Sequence, residues 1–291
     1  MSPAGPPVAL TIAGSDSGSG AGIQADLKTM AALGVFAATA VTAVTAQNTA
    51  EVREVHHLPP GLVVAQVEAV IDDLPVAAVK TGMLGTAAVV DQVGRLAGSG
   101  RLPRLVVDPV MVASSGRVLL DDRGIDAYRR SLVPLALMVT PNLWEAALLA
   151  GVPPASVGDV DAMAHLARTI HRLGPTWVLV KGGHLPGVES PVPGHAPDEV
   201  ADVLFDGDQV TVVTGPWVDT PNTHGTGCSL SAAIVAHLAR GADVPTAVDS
   251  AKAYVHGALL GAARWRLGSG HGPLDHFGWS IGAPPGGPVR R

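Results

Sequence analysis

The sequence predicts an α/β fold: a mostly parallel central sheet with helices on both faces and a small antiparallel edge. Three observations carry this. Short continuous apolar runs alternate with amphipathic stretches almost from end to end, the pattern of βα units whose strands are covered on both sides. No composition break or long linker divides the 291 residues, and no internal repeat appears. One pair of apolar runs is joined only by Asp206-Gly207-Asp208, a connection too short to cross over, so it reads as a hairpin.

Taken in order, Val8–Ala13 is a first strand, followed by a Gly/Ser loop (Gly14–Gly22) and a helix from Gln24 to Leu33. Thr39–Thr45 is a second strand. Leu62–Asp72 has helical period, Val76–Thr81 is strand-like and Ala87–Leu96 helical. Leu105–Asp108 is a strand, Arg123–Leu132 a helix and Leu137–Thr140 a strand, after which Pro141-Asn142 opens another helix. Asp161–Leu173 is a helix, Trp177–Lys181 a strand, and Val200–Phe205 with Val210–Thr214 the hairpin. Gly227–Arg240 and Ala247–Arg266 are two long closing helices. Residues 1–277 are expected to be one domain, with a disordered tail over 278–291.

Composition narrows the function. Apolar residues make up 47% and charged residues 15%, far from the profile of disorder. The net charge is −6 and the basic residues form no run, which argues against nucleic-acid binding. A single cysteine excludes an internal disulfide and any CxxC metal site. The 22 residues from Thr29 to Ala50 carry no charge; with five Thr and few Leu or Ile they read as helix end, glycine and buried strand, not as a membrane span. The N-terminus lacks a signal-peptide pattern, so the expected location is cytoplasmic.

Ligands of open α/β sheets bind at the carboxyl ends of the strands, so the residues there are the ones to weigh. The loop Gly14–Gly22 sits between strand and helix, where backbone can approach a ligand closely; it equally fits a plain flexible connection. No acid ends the second strand, which argues against a Rossmann dehydrogenase. None of Lys28, Lys80, Lys181 or Lys252 follows a glycine, so Walker A is absent. Asp26, one turn into the first helix, also suits the helix dipole alone. Asn222-Thr-His-Gly-Thr-Gly-Cys228 opens a long apolar helix, and successive amides there form an anion-binding concavity. In that field the Cys228 thiol is expected to have a lowered pKa, against the alternative of a small buried hydrophobe. Asn142 and Glu145 have capping-box spacing, and a carboxylate so placed can also hold Mg²⁺ through water. Asp108 is a second hard-cation candidate. Lys181 is either a phosphate contact or a snorkelling strand-end lysine. Dispersed histidines and the lack of Gly-x-Ser-x-Gly argue against a zinc site and an α/β-hydrolase.

At these residues the sequence resembles the hydroxymethylpyrimidine/phosphomethylpyrimidine kinases of thiamine biosynthesis. The resemblance is carried by Ala13-Gly-Ser-Asp-Ser-Gly with Ala21-Gly-Ile-Gln-Ala-Asp-Leu-Lys-Thr29, Thr42-Ala-Val-Thr-Ala-Gln-Asn48 and Lys80-Thr-Gly-Met-Leu84. Asp108-Pro-Val-Met-Val-Ala113, Thr140-Pro-Asn142, Lys181-Gly-Gly-His184, Asn222–Cys228 and Gly270-His-Gly-Pro273 extend it over residues 8–277. The family has a ribokinase-like fold.

The resemblance implies ATP-dependent phosphorylation of 4-amino-5-hydroxymethyl-2-methylpyrimidine and then of its monophosphate, with Mg²⁺. Asp26 and Gln47 would hydrogen-bond the aminopyrimidine, Met83 and Val110 would pack on its ring, and Gly14 would admit it to the backbone. Gly225, Thr226, Gly227 and Cys228 would form the anion hole, with Cys228 where many ribokinase-like enzymes carry an Asp base. Lys181, Asn142 and Thr223 would meet ATP, and Asp108 and Glu145 would organise Mg²⁺. A homodimer is common in this superfold. The chain departs from the family at Ser19, which stands in a run of glycines, and at Ser114, where Lys is common. The alternatives are a pyridoxal or pyridoxine kinase and a non-catalytic vitamin-binding protein. Glu51–His57 is the candidate for a lid strand.

Overall fold

In the computed structural model, described for residues 5–112, 119–153, 159–183 and 199–280, nine strands form one sheet in the order β3-β2-β1-β4-β5-β6-β7-β8-β9. Ser114 and His184 lie outside the described residues, as do residues 281–291. The strands are β1 (Val8–Asp16), β2 (Phe36–Gln47), β3 (Val52–His57), β4 (Val76–Thr81), β5 (Val106–Val107), β6 (Met138–Val139), β7 (Trp177–Lys181), β8 (Glu199–Phe205) and β9 (Val210–Pro216). From β2 through β7 every pairing is parallel. The hairpin β8–β9 adds an antiparallel edge, as the short connection requires. A second antiparallel edge, β3 on β2, lies at the other end. The stretch read as a lid strand is therefore a sheet edge.

The helices are α1 (Gly22–Ala32), α2 (Pro60–Ile71), α3 (Ala87–Gly98), α4 (Asp122–Ala127), α5 (Leu143–Ala150), α6 (Val160–His171), α7 (Thr226–Ala239) and α8 (Val244–Ala262). Several begin where the sequence supplies a cap. Thr86, Asp121, Asp159 and Asp243 each accept a backbone N–H from the first turn. The helix expected over 123–132 ends earlier: α4 widens into a π-turn over Tyr128–Leu132 and a 3₁₀ turn at Val133–Leu135, where Pro134 blocks a regular ladder.

Alternation along the parallel strands builds two cores, because successive side chains leave opposite faces. Leu10, Ile12, Val79, Val107, Val139 and Val178 join the core that includes residues of α2 to α6. Their neighbours Ala9, Ala78, Val106, Met138 and Leu179 join the core of α1, α7 and α8. Strands buried on both faces read as continuous apolar runs. Lys80 breaks the run in β4, and Asp108 follows β5 directly; both are buried. These charges sit at the carboxyl ends of the strands, and that is where the cavity opens.

Candidate active site

A cavity of about 990 Å³ lies across the carboxyl ends of β1, β4, β5, β6 and β7, roofed by the first turn of α7 and one face of α8. That volume is at the upper end for small-molecule sites. Gly14, Gln47, Met83, Val110, Asp108, Asn142, Glu145, Lys181, Thr223, Gly225, Thr226, Gly227 and Cys228 all line it. Asp26 is not on its wall.

The glycine-rich loop is wound around Asp16. Its Oδ1 accepts from Gly18 N (2.8 Å), and its Oδ2 accepts from Gly20 N (3.1 Å) and Ala21 N (2.8 Å). His224 Nε2 lies 2.9 Å from the same Oδ2. Burial disfavours the ionised carboxyl, but the bonds from His224, Ala21 and Gly18 outweigh it and hold Asp16 below its ordinary value. Two glycines here are sterically required. Gly22 opens α1 at φ +58°, where a Cβ would stand 2.4 Å from Gly14 O. Gly225 precedes α7 at φ +86°, with the Cβ position only 1.8 Å from Gly20 O. Ser19 takes a left-handed φ of +61° without being glycine, so the departure from the glycine run leaves a strained residue.

The first turns of α1 and α7 converge on Cys228. The Gly22 N–H at the start of α1 is directed at its sulfur. In α7 the Thr226 N–H goes to Thr223 O (3.2 Å). The Gly227 and Cys228 amides follow in the first turn, where helix geometry provides no acceptor within the helix. They remain a concavity for anionic oxygens. The expected lowering of the thiol is overturned. Burial pushes it up, Lys80 lowers it less, and Asp108 and Asp26 push it up again, to about 11. Desolvation exceeds what two helix ends return.

Beneath the cavity floor Asp26 is fully buried and in an ion pair. Its Oδ2 accepts from Thr11 Oγ1 (2.6 Å) and from Lys80 Nζ (3.0 Å), and its Oδ1 has no protein partner. Burial raises the Asp26 carboxyl despite Lys80; the Lys80 ammonium is held above its ordinary value by Asp26, Cys228 and Asp108 against its own burial. Asp26 thus meets the protein's own lysine where a substrate amine was expected, and Lys80 is what reaches the wall.

Farther along, Lys181 Nζ donates to Asp108 Oδ1 (2.8 Å) and Ser231 Oγ donates to Asp108 Oδ2 (3.0 Å). The capping box at α5 is formed: Glu145 N donates to Asn142 Oδ1 (2.8 Å) and Asn142 N to Glu145 Oε2 (2.9 Å). Burial raises the Glu145 carboxyl to about 7; Lys181 opposes the rise and Asp108 adds to it. Gly227 faces Lys181, its Cβ position 3.3 Å from Nζ. Sequence reasoning left Asp16, His224 and Lys80 without roles. It also missed Asp202, which accepts from Gly182 N (2.9 Å) and from Lys252 Nζ (2.6 Å) at the cavity wall.

A doubly wound sheet with two helix N-termini beside a buried lysine–carboxylate cluster is an arrangement shared with the solved small-molecule kinases this chain superposes on, which sets its class as ribokinase-like. The comparisons agree. A family model described as Phosphomethylpyrimidine kinase matches residues 16–275. The chain is 49% identical over 274 residues to a hydroxymethylpyrimidine/phosphomethylpyrimidine kinase of Rhizobium meliloti, covering 93% of this chain and 97% of that protein. It is 45% identical to one of Streptomyces coelicolor, covering 96% and 97%. Among solved structures, a Bacillus subtilis pyridoxal kinase in complex with ADP superposes with TM-score 0.83 at 37% identity, covering 93% and 97%. A Clostridium difficile phosphomethylpyrimidine kinase superposes at 0.72 with 38% identity, covering 87% and 99%. The chain belongs to the phosphomethylpyrimidine kinase family, a family of thiamine-biosynthesis kinases. That places the hydroxymethylpyrimidine reading ahead of the pyridoxal alternative. No described helix is long and apolar enough to cross a membrane.

Proposed function

We propose that the chain transfers the γ-phosphoryl group of ATP to the hydroxymethyl oxygen of 4-amino-5-hydroxymethyl-2-methylpyrimidine, and then to the phosphate of the monophosphate, giving the diphosphate. The observation that carries this reading is the convergence of the α1 and α7 N-termini beside Lys181, Asp108 and Glu145, inside one cavity large enough for both reactants. Gly14, Met83 and Val110 form an apolar floor for the ring, and Gln47 offers its amide to the ring edge. Gly14 and Met83 are in close contact, since a Cβ on Gly14 would stand 2.3 Å from Met83 Cε.

Phosphoryl transfer needs positioning and charge neutralisation more than covalent help. A bond forms from the hydroxymethyl oxygen to the γ-phosphorus, and the bond to the β–γ bridging oxygen breaks. The alcohol proton becomes acidic as the new bond forms, so it leaves late, to a phosphoryl oxygen or to water, and needs no strong base. This suits Cys228, which is a thiol at neutral pH and holds the acceptor as a hydrogen-bonding neighbour. The Gly227 and Cys228 amides gather the transferring oxygens, with Lys181 beside them and Asn142 and Thr223 on the ATP side. Mg²⁺, when bound, neutralises charge on the phosphates. Asp108 and Glu145 fit a hydrated cation held through water, because their oxygens already accept from Lys181, Ser231 and Asn142.

The test is ADP release from ATP and Mg²⁺ with hydroxymethylpyrimidine, its monophosphate, pyridoxal or no acceptor. Turnover of both pyrimidines with little of pyridoxal is expected. Turnover of pyridoxal alone would replace the reading with a pyridoxal kinase, and none with any acceptor would leave a vitamin-binding protein. The same reading takes residues 1–277 as one kinase unit working as a cytoplasmic homodimer, a mass that sedimentation measures.

A further inference from the structure

We infer that His224 is a positioning residue that sets the Gln47 amide against the glycine-rich loop and so tunes recognition of the pyrimidine acceptor. Its Nε2 is 2.9 Å from Asp16 Oδ2 and 3.2 Å from the Gln47 side-chain amide. The ring edge fills the space a side chain would need at Gly20, where a Cβ would fall 2.2 Å from Cδ2. Its own backbone N–H donates to Gly272 O (3.0 Å), and it bridges to Pro273. One imidazole thus ties the Asp16 loop, the end of β2, the start of α7 and the segment at 272–273.

The chemistry follows from what lies on each side. Asp16 has its carboxylate filled by three loop amides and the ring, so the ring nitrogen has a fixed anionic partner. Gln47 is exposed to the cavity on one side and held by Ser17, whose Oγ accepts from Gln47 N (2.8 Å) and donates to Gln47 O (2.7 Å). The backbone of Gln47 is therefore fixed by the loop; His224 Nε2–H is committed to the Asp16 carboxylate and Thr45 Oγ1 to Ser15 O, so the Gln47 side chain closes the network with its amide oxygen toward Nε2 and its NH₂ donating to Thr45 Oγ1 at 3.2 Å. Loss of the imidazole frees the amide without touching Lys181, Asp108 or Glu145 at the phosphate end.

This inference rests on the reading of Gln47 as an acceptor contact, and the experiment separates the two. The variants are His224→Asn, with His224→Gln as the conservative replacement and Gln47→Ala as the reference. Hydrogen bonds to charged partners hold enough energy that KM for hydroxymethylpyrimidine should rise about tenfold or more in His224→Asn. KM for ATP should stay within about twofold, and His224→Gln should recover part of the loss. Adding His224→Asn to Gln47→Ala should cost little more, because His224 acts through Gln47. A KM for both substrates rising equally, or fully additive losses, would overturn the positioning role. The Gln47 side-chain NH₂ resonance, assigned by its absence in Gln47→Ala, reads the arrangement without any substrate. It should shift in His224→Asn, and an unmoved resonance refutes the inference whatever the enzyme phosphorylates. A shifted resonance with no acceptor turned over by the parent protein would instead refute the function and leave the contact standing.

Discussion

The thiol of Cys228 provides the sharpest test of the site's electrostatics. Two helix N-termini point at it, and a lone cysteine in such a position would ordinarily be expected to ionise readily. Burial reverses this and carries it from an ordinary 9.0 to about 11. At pH 7.5 the thiolate fraction then falls from about 3% to about 0.03%, roughly a hundredfold. The chain has one cysteine, so alkylation of the native protein reports this group alone. With iodoacetamide, the rate followed by intact mass should be about a hundredfold slower than that of a free cysteine peptide at pH 7.5. It should climb tenfold per pH unit up to the limit of folding. An inflection below pH 9 would show that the helix ends win over desolvation, and would restore Cys228 as a ready base.

Three further outcomes are expected. Glu145→Gln keeps the capping geometry, since glutamine also serves at that position, and should remove from the kcat/KM profile an ionisation near pH 7; an identical acid limb in the variant would refute the assignment. Ser19→Gly relieves a left-handed serine and should stabilise by about 0.5–1 kcal/mol after the entropy cost of glycine, a rise of one to three degrees in Tm on the order expected for this size; a lowered Tm would show that Ser19 is held by more than backbone geometry. Asp26→Ala strands a buried ammonium and should cost about 3–5 kcal/mol in urea unfolding, with Asp26→Leu combined with Lys80→Met recovering much of it. A loss under about 1 kcal/mol together with weakened pyrimidine binding would return Asp26 to the substrate.

Periodicity located the strands because parallel strands buried on both faces have nowhere to place polar residues, and β4 and β7 fall at their expected limits. It located β8–β9 because three residues cannot cross a sheet. It did not reveal β3 as an edge strand, since Val52–His57 carries two charges and two histidines in six positions and is mostly exposed; only pairing with β2 orders it. The phosphate end of the site was legible for a related reason: a glycine pair, a capping box and a strand-end lysine each have a local signature. The acceptor end was less so. The Asp16–His224 contact spans 208 residues, and the Asp26–Lys80 pair spans 54. Both are pairings of groups that look bland one at a time. A lysine inside the apolar run Val76–Thr81 was the available signal, because a fully buried lysine requires an acid, and Asp26 is the acid without another use.

That distinction bears on how the site works. Asp26, Lys80, Asp108 and Lys181 neutralise one another in two close pairs, so the cavity floor holds its shape at the cost of desolvating four charges. Glu145 is the carboxyl left over. Burial and Asp108 favour its proton, while Lys181 and the bonds from Asn142 and Met111 favour the ionised form, and the balance falls at about 7. Because the folded value lies above the ordinary 4.5, the folded chain holds this proton more tightly than the unfolded one. The stability this adds is complete below pH 4.5 and is lost as pH rises through 7. On the proposed reading, in which Asp108 and Glu145 hold hydrated Mg²⁺, a bound cation would compete with this proton at Glu145.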